Sequence, residues 1–228
     1  MKPELRKIGE AGTPVVVIDE FSGDVAELID IAAGLAPFPY HRENYYPGLR
    51  RIITEADTTA NAYVERSVNN ATQFIAGAYD VDRFDLLEAS FSMVVADPSE
   101  LIPAQRAPHF DTTDPRHYAL LHYLNVPADS GTAFYRHRAT DVERVTADNI
   151  GFYVPIVREE AASLPANSGY ILGDNEHFEQ IEAIEAVPDR LIIYPGSVLH
   201  SGIIPPGMNL SHDPRQGRLT ANFFVRAH

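Results

Sequence analysis

Apolar and polar positions divide the chain into two kinds of stretch. "TPVVVIDEF" is a short apolar run that predicts a buried strand closed by Phe21. Ser22 then reads as the N-cap of a helix carried by Val25, Leu28 and Ile29 and ended at Gly34. A loop rich in Pro and Tyr, "PFPYHRENYYPGLRR", leads to a second helical stretch from about Thr58 to Tyr79. From Leu87 onward the period changes. Short apolar runs bounded by Pro, Gly, Asn and Asp follow one another: "SFSMVVADPSE", "HYALLHYLNVPADSGTAFYRH", "IGFYVPIV", "NSGYILGD", "RLIIYPGSVLH" and "GRLTANFFVRA". Six or more strands at this spacing predict a jelly-roll or barrel that closes to hide its edges, with the helices of the first third packed outside it. The expected fold class is therefore mainly β with flanking helices (α+β). The expected organisation is one domain over 1–228, with 1–87 a helical and strand module on the outside and 88–228 the β core.

Length and composition narrow the options. A chain of 228 residues is long for one domain and short for two, and no linker, repeat or low-complexity tract divides it. No apolar run approaches the roughly 18–20 residues that span a bilayer, and "MKPELRKIGE" lacks an apolar core and cleavage site, so the reading is cytoplasmic, with no membrane. The absence of cysteine excludes disulfides, thiolate metal sites and cysteine nucleophiles. Any metal must be held by His, Asp or Glu. A formal net charge of -14 with no long basic block argues against nucleic acid as a partner.

The chemistry concentrates in "APHFDTTDPRHYALLHYLN". On an extended segment residues i and i+2 share a face, so His109 and Asp111 aim at one point while Phe110 turns away. Pro108 favours that extended course. One imidazole and one carboxylate make half of a facial two-His, one-carboxylate triad, which binds Fe(II) and leaves open positions. A third ligand is needed from a late strand, and His200, after the apolar run and Pro-Gly turn of "RLIIYPGSVLH", is the candidate. His117, His122, His137, His177 and His212 are rivals, read here as structural or supporting; His117 and His122 differ in parity on one strand, so they face opposite sides.

"PHFD" followed in order by "YLN", "GTAF", "YPGSVLHSG" and "RLTANFF" resembles the double-stranded β-helix (jelly-roll, cupin-like) core of the Fe(II)/2-oxoglutarate-dependent dioxygenases, in the branch that includes the prolyl 4-hydroxylases. The resemblance covers about residues 88–228 and extends to uncharacterised bacterial proteins of that superfamily. It implies that His109, Asp111 and His200 are catalytic iron ligands, and that Tyr123 and Arg218 hold the far carboxylate of the cosubstrate 2-oxoglutarate. Physical chemistry agrees: that carboxylate needs a buried cation, which a guanidinium meets with paired hydrogen bonds. Arg218 shares a face with Thr220, Asn222 and Phe224, while Arg215 and Arg226 are alternatives. The eighteen residues from His200 to Arg218 exceed the family's usual gap, so "IIPPGMNLSHDPRQ" must loop out, and the family's glycine pair is reduced to Ser130-Gly131.

The implied reaction consumes Fe(II), 2-oxoglutarate and O2, releases succinate and CO2, and hydroxylates an amino-acid side chain, free or in a peptide or protein. In related halogenases a small residue replaces the carboxylate ligand, so Asp111 points to hydroxylation. The partners expected are a small-molecule, peptide or protein substrate, with a homodimer also admitted. Residues 40–51 and 203–217 are candidate lids or substrate walls. Tyr135, Arg136, His137 and Arg138 are either a contact for an anionic substrate group or a solvated edge. Two other classes stay open: a cupin-like metal enzyme that does not use 2-oxoglutarate, and a non-catalytic β-rich binding protein.

Overall fold

The computed structural model describes residues 1–40, 46–165 and 167–228. Two strands open the chain, β1 (Lys2–Ile8) and β2 (Thr13–Asp19), followed by helix α1 (Val25–Gly34), β3 (Gly48–Ile52), α2 (Thr58–Tyr79) and β4 (Phe84–Val94). The remainder is β5 (His117–Asn125), β6 (Gly131–His137), α3 (Ile150–Ser163), β7 (Phe178–Glu185), β8 (Leu191–Pro195), β9 (His200–Ile203) and β10 (Leu219–Ala227). A seven-stranded sheet runs in the order β1-β2-β8-β5-β10-β4-β3, and a three-stranded sheet, β7-β6-β9, faces it. All pairings are antiparallel. The fold is mainly β with flanking helices, as the turn spacing and the family resemblance require.

Strand alternation explains the layers. Leu219, Ala221, Phe223 and Val225 of β10 join Leu120, Leu124, Leu191, Ile193, Phe91 and Met93 in a core covered by Leu28 and Ala32 of α1 and Tyr63, Val64, Ala71 and Ile75 of α2. On the opposite face Ala119, Tyr123, Ile192 and Tyr194 meet Phe134 and Ile184 of the smaller sheet. The first 87 residues thus supply three strands to the larger sheet as well as both helices. β1, at one edge, is blunted by Lys, Pro, Glu and Arg.

Several local expectations are corrected. Asp24, not Ser22, caps α1, its carboxylate accepting from Glu27 N at 3.1 Å. Gly23, with φ of +80°, turns the chain between them, and Ser22 instead donates to Asp189. "IGFYVPIV" is helical, not a strand, because the run continues into "REEAAS" and its apolar members, Ile150, Tyr153, Val154, Val157 and Ala161, repeat at three and four. "NSGYILGD" is irregular among its described residues. β1, β3 and β7 lie where no strand is expected from the pattern.

Candidate metal centre

His200 opens β9, whereas His109 and Asp111 lie in the irregular segment ahead of β5. Pro108 leads an extended segment in which His109 N donates to His200 O (2.9 Å) and His200 N donates to His109 O (2.8 Å), so the two histidines form a backbone bridge. Asp111 N donates to Gly196 O at 2.7 Å. These bonds fold the Pro-Gly turn of "YPGSVLH" against "PHFD" and bring two segments about ninety positions apart onto one point.

Nε2 of His109 lies 4.0 Å and Nε2 of His200 lies 3.9 Å from Asp111 Oδ1. One ligand atom from each of the three side chains falls within 4.8 Å of the others. Bonds of about 2.0–2.2 Å to a divalent first-row ion need neighbouring ligand atoms ~3 Å apart in a facial arrangement, so closure asks for a contraction of roughly 1 Å. The donor set and its spacing fit such an ion. His200 Nδ1 donates to Val198 O at 2.8 Å, which fixes the tautomer and turns the Nε2 lone pair inward. Burial pushes the His200 imidazole down to about 4, against the pull of the Val198 carbonyl. His109 is lowered by desolvation against the cavity wall and by His200, although its side chain stays 56% exposed, while Asp111 is raised by desolvation, with His109, His117 and Arg50 opposing. Neutral imidazoles at pH 7 are ready ligands.

The triad opens into a cavity of about 360 Å³ between the sheets. Arg218, Thr220, Asn222 and Phe224 all line it, as their shared parity predicts. Arg218 is only 4% exposed; among the described residues its Nε is without a hydrogen-bond partner and its side chain makes one long hydrogen bond, from Nη2 to Gly131 O at 3.5 Å. A buried guanidinium in this condition fits a carboxylate ligand. The two alternatives are engaged elsewhere: Arg215 with Asp30 at the surface (2.7 Å) and Arg226 with Asp114 (2.8 Å). Tyr123 lies under Arg218, 5.9 Å from guanidinium carbon to ring centre, and its hydroxyl is taken by Thr132 Oγ1 at 2.7 Å. Thr132, not Tyr123, reaches the cavity wall.

The other histidines divide as parity requires. His117 stacks on Phe224 (5.3 Å) beside Asp111. His122 faces the helices, holding Tyr63 Oη (2.7 Å) and Asp189 Oδ1 (3.0 Å). His137 pairs with Glu160 (2.6 Å), and Glu160 also stands 3.6 Å from His177. Arg136 is bound to Glu10 and Glu179 and Arg138 to Asp174, so "YRHR" is tied into the fold and lines no part of this cavity. Of the expected lids or substrate walls, 40–51 brings Tyr46, Pro47 and Arg50 to the cavity, with residues 41–45 outside the described residues, and from 203–217 only Ile204 reaches it.

Tyr194 and Thr132 line the cavity without being named among the sequence-based site residues. Tyr194 of β8 shares the inward face with Ile192 and sets its ring edge-on to His200 at 4.9 Å; parity in "LIIYP" is the signal for it. Thr132 is signalled by its place within "GTAF". Arg50 belongs to the expected wall 40–51, but it stands on β3, where a loop is expected.

Solved structures carry the same fold. The nickel- and 2-oxoglutarate-bound HygX from Streptomyces hygroscopicus is 13% identical with a TM-score of 0.54, over 94% of this chain and 83% of that one. SnoN, a non-heme alpha ketoglutarate dependent epimerase from nogalamycin biosynthesis, is 13% identical with a TM-score of 0.53, over 93% and 78%. A 2OG-Fe(II) oxygenase family oxidoreductase from Burkholderia pseudomallei is 9% identical with a TM-score of 0.52, over 96% and 86%. The double-stranded β-helix fold of the 2-oxoglutarate-dependent oxygenases is therefore that of this chain. No curated protein matches its sequence. A family model does match residues 1–225, and on that match the chain belongs to DUF6445, a family of unknown function.

Proposed function

We propose that the protein is an Fe(II)- and 2-oxoglutarate-dependent dioxygenase that hydroxylates an amino-acid side chain. The observation that carries this reading is the pairing, within one cavity, of a two-His, one-carboxylate cluster with a buried guanidinium that has no carboxylate partner among the described residues. His109, Asp111 and His200 would hold the iron. Arg218 would meet the far carboxylate of 2-oxoglutarate, with Thr220 beside it and Thr132, itself fixed by Tyr123, opposite.

When bound, iron and 2-oxoglutarate supply O2 activation coupled to oxidative decarboxylation. The chain's own residues do the rest. Nδ1 of His200 stays protonated on the Val198 carbonyl, which keeps its Nε2 aimed at the metal position. Arg218 selects a dicarboxylate and fixes its direction. Tyr194 and Phe134, packed against His200, keep water from that side of the centre.

Anaerobic addition of Fe(II) and 2-oxoglutarate should give the weak metal-to-ligand absorption band of the chelate, and His109→Ala should abolish it. No band in the native protein overturns the proposal. A band, or iron-dependent O2 uptake, that is indifferent to Arg218→Met would point instead to a metal enzyme that does not use 2-oxoglutarate.

A further inference from the structure

The cavity holds a second guanidinium. Arg50 projects from β3 with Nε on Ser90 Oγ at 3.1 Å and Nη2 on Glu88 Oε1 at 2.5 Å, and its carbon sits 5.3 Å from the centre of the Phe224 ring. Three contacts thus fix its plane, and its Nη1 makes no hydrogen bond among the described residues. Next to it on the same inner face, Asn222 donates through Nδ2 to Ser92 Oγ at 2.8 Å. Its Oδ1 accepts nothing among the described residues. Two neighbouring serines of β4, both buried, therefore hold a free donor and a free acceptor side by side in the cavity wall.

Arg50 points away from the proposed cosubstrate end. Its guanidinium lies over Phe224, six residues along β10 from Arg218, an along-strand span of at most about 20 Å at ~3.3 Å per residue, while Asn222 touches Thr220 between them. Arg218 reaches the other way, toward Gly131 of the smaller sheet. Arg50 is instead on the Asp111 side, linked to it through Phe224 and His117.

Formal charge narrows the ligand. A divalent ion, Asp111, a doubly charged cosubstrate and Arg218 sum to zero, and Arg50 is balanced by Glu88 at the rim, so a ligand of no net charge leaves the cavity neutral. We infer that Arg50 and Asn222 form the recognition site for the α-carboxylate and α-ammonium groups of a free amino acid, the carboxylate on Arg50 Nη1 and the ammonium on Asn222 Oδ1. This rests on the oxygenase reading and deepens it, since it selects a free amino acid over a residue within a peptide.

The experiment proceeds in two stages. Mn(II) and N-oxalylglycine, standing in for iron and cosubstrate, are bound first and followed by electron paramagnetic resonance; failure here overturns the oxygenase reading and the inference with it. Free amino acids (leucine, phenylalanine, proline, lysine, arginine and glutamate among them) are then titrated against the loaded protein, alongside their primary amides and 2-hydroxy acids. The readout is the relaxation of ligand protons by Mn(II). At least one free amino acid should relax strongly, its amide and 2-hydroxy counterpart at least tenfold more weakly. Arg50→Met should weaken that amino acid at least tenfold, and Arg50→Lys, which keeps a charge for Glu88, should restore part of the loss. Should all amino acids fail after a successful first stage, or amides bind as well as acids, the inference is overturned while the oxygenase reading stands. Loss of N-oxalylglycine in Arg50→Met but not in Arg218→Met would equally overturn it, by assigning Arg50 to the cosubstrate.

Discussion

Replacing Arg218 by Met separates two roles that usually move together. In the metal-free protein the guanidinium is buried at 4% exposure and, among the described residues, has Nε unpartnered and one long hydrogen bond, to Gly131 O. An unmet buried polar group costs about 1–3 kcal/mol. Against this stands the placement over Tyr123 at 5.9 Å, a desolvated cation–π contact contributing about 2 kcal/mol. Met fills much of the same volume without charge, so the two effects nearly offset and stability should change by no more than about 1 kcal/mol, or about 2–4 °C in melting temperature for a chain of this size. Cosubstrate binding should fall instead. Losing charge-assisted hydrogen bonds worth about 3 kcal/mol weakens 2-oxoglutarate about 150-fold. Calorimetric melting of the metal-free protein, and titration of 2-oxoglutarate into the Mn(II) form, read the two effects separately. A variant that melts well below the native protein, or that binds 2-oxoglutarate within twofold of it, refutes the argument that this side chain is kept for its ligand.

Three further outcomes follow from the geometry. The His200 proton is taken up by the unfolded chain below pH 6.5 but by the folded one only near 4; stability of the metal-free protein should therefore fall on acidification through that window, by on the order of 1.4 kcal/mol per pH unit for one proton. Urea midpoints at pH 7, 6 and 5 should show this slope, flattened in His200→Gln. Gly196→Ala would set a methyl carbon 2.5 Å from His117 Nδ1 and 3.3 Å from Asp111 Cβ; Mn(II) affinity should drop at least tenfold and recover in the Gly196→Ala/His117→Ala double variant, and no recovery would place the damage elsewhere. His122→Ala strips Tyr63 Oη of its buried partner and should cost about 2–4 kcal/mol of stability, yet leave Mn(II) titrations unchanged, because this ring faces the helices.

Legibility in the sequence tracked how local the determining physics is. β10 was readable because period-2 alternation assigns its even positions to the cavity and its odd ones to the helices. The same logic separated His117 from His122. "IGFYVPIV" misleads because an apolar run rich in β-branched and aromatic residues is ambiguous between strand and helix; Pro155, inside α3, is exposed and costs one backbone bond. β1 and β3 pair at the sheet's edges, and their polar residues show no burial pattern to detect. The strand that carries Arg50 is hidden for that reason, although its segment, 40–51, is legible as a candidate substrate wall. The convergence of His200 on "PHFD" could be named from residue types but depends on a backbone bridge no local window contains.

The alternation in β10 also constrains how such a chain can change over generations. Residues could be inserted in the exposed part of the loop between Ile203 and Gly217 with little effect on either sheet. A single residue added within 219–224 would exchange Thr220, Asn222 and Phe224 for Leu219, Ala221 and Phe223, placing aliphatic groups against the cavity and polar ones against the helices. Cavity wall and folding core are thus two sides of one ribbon, and insertions should accumulate upstream of Arg218 and stop there.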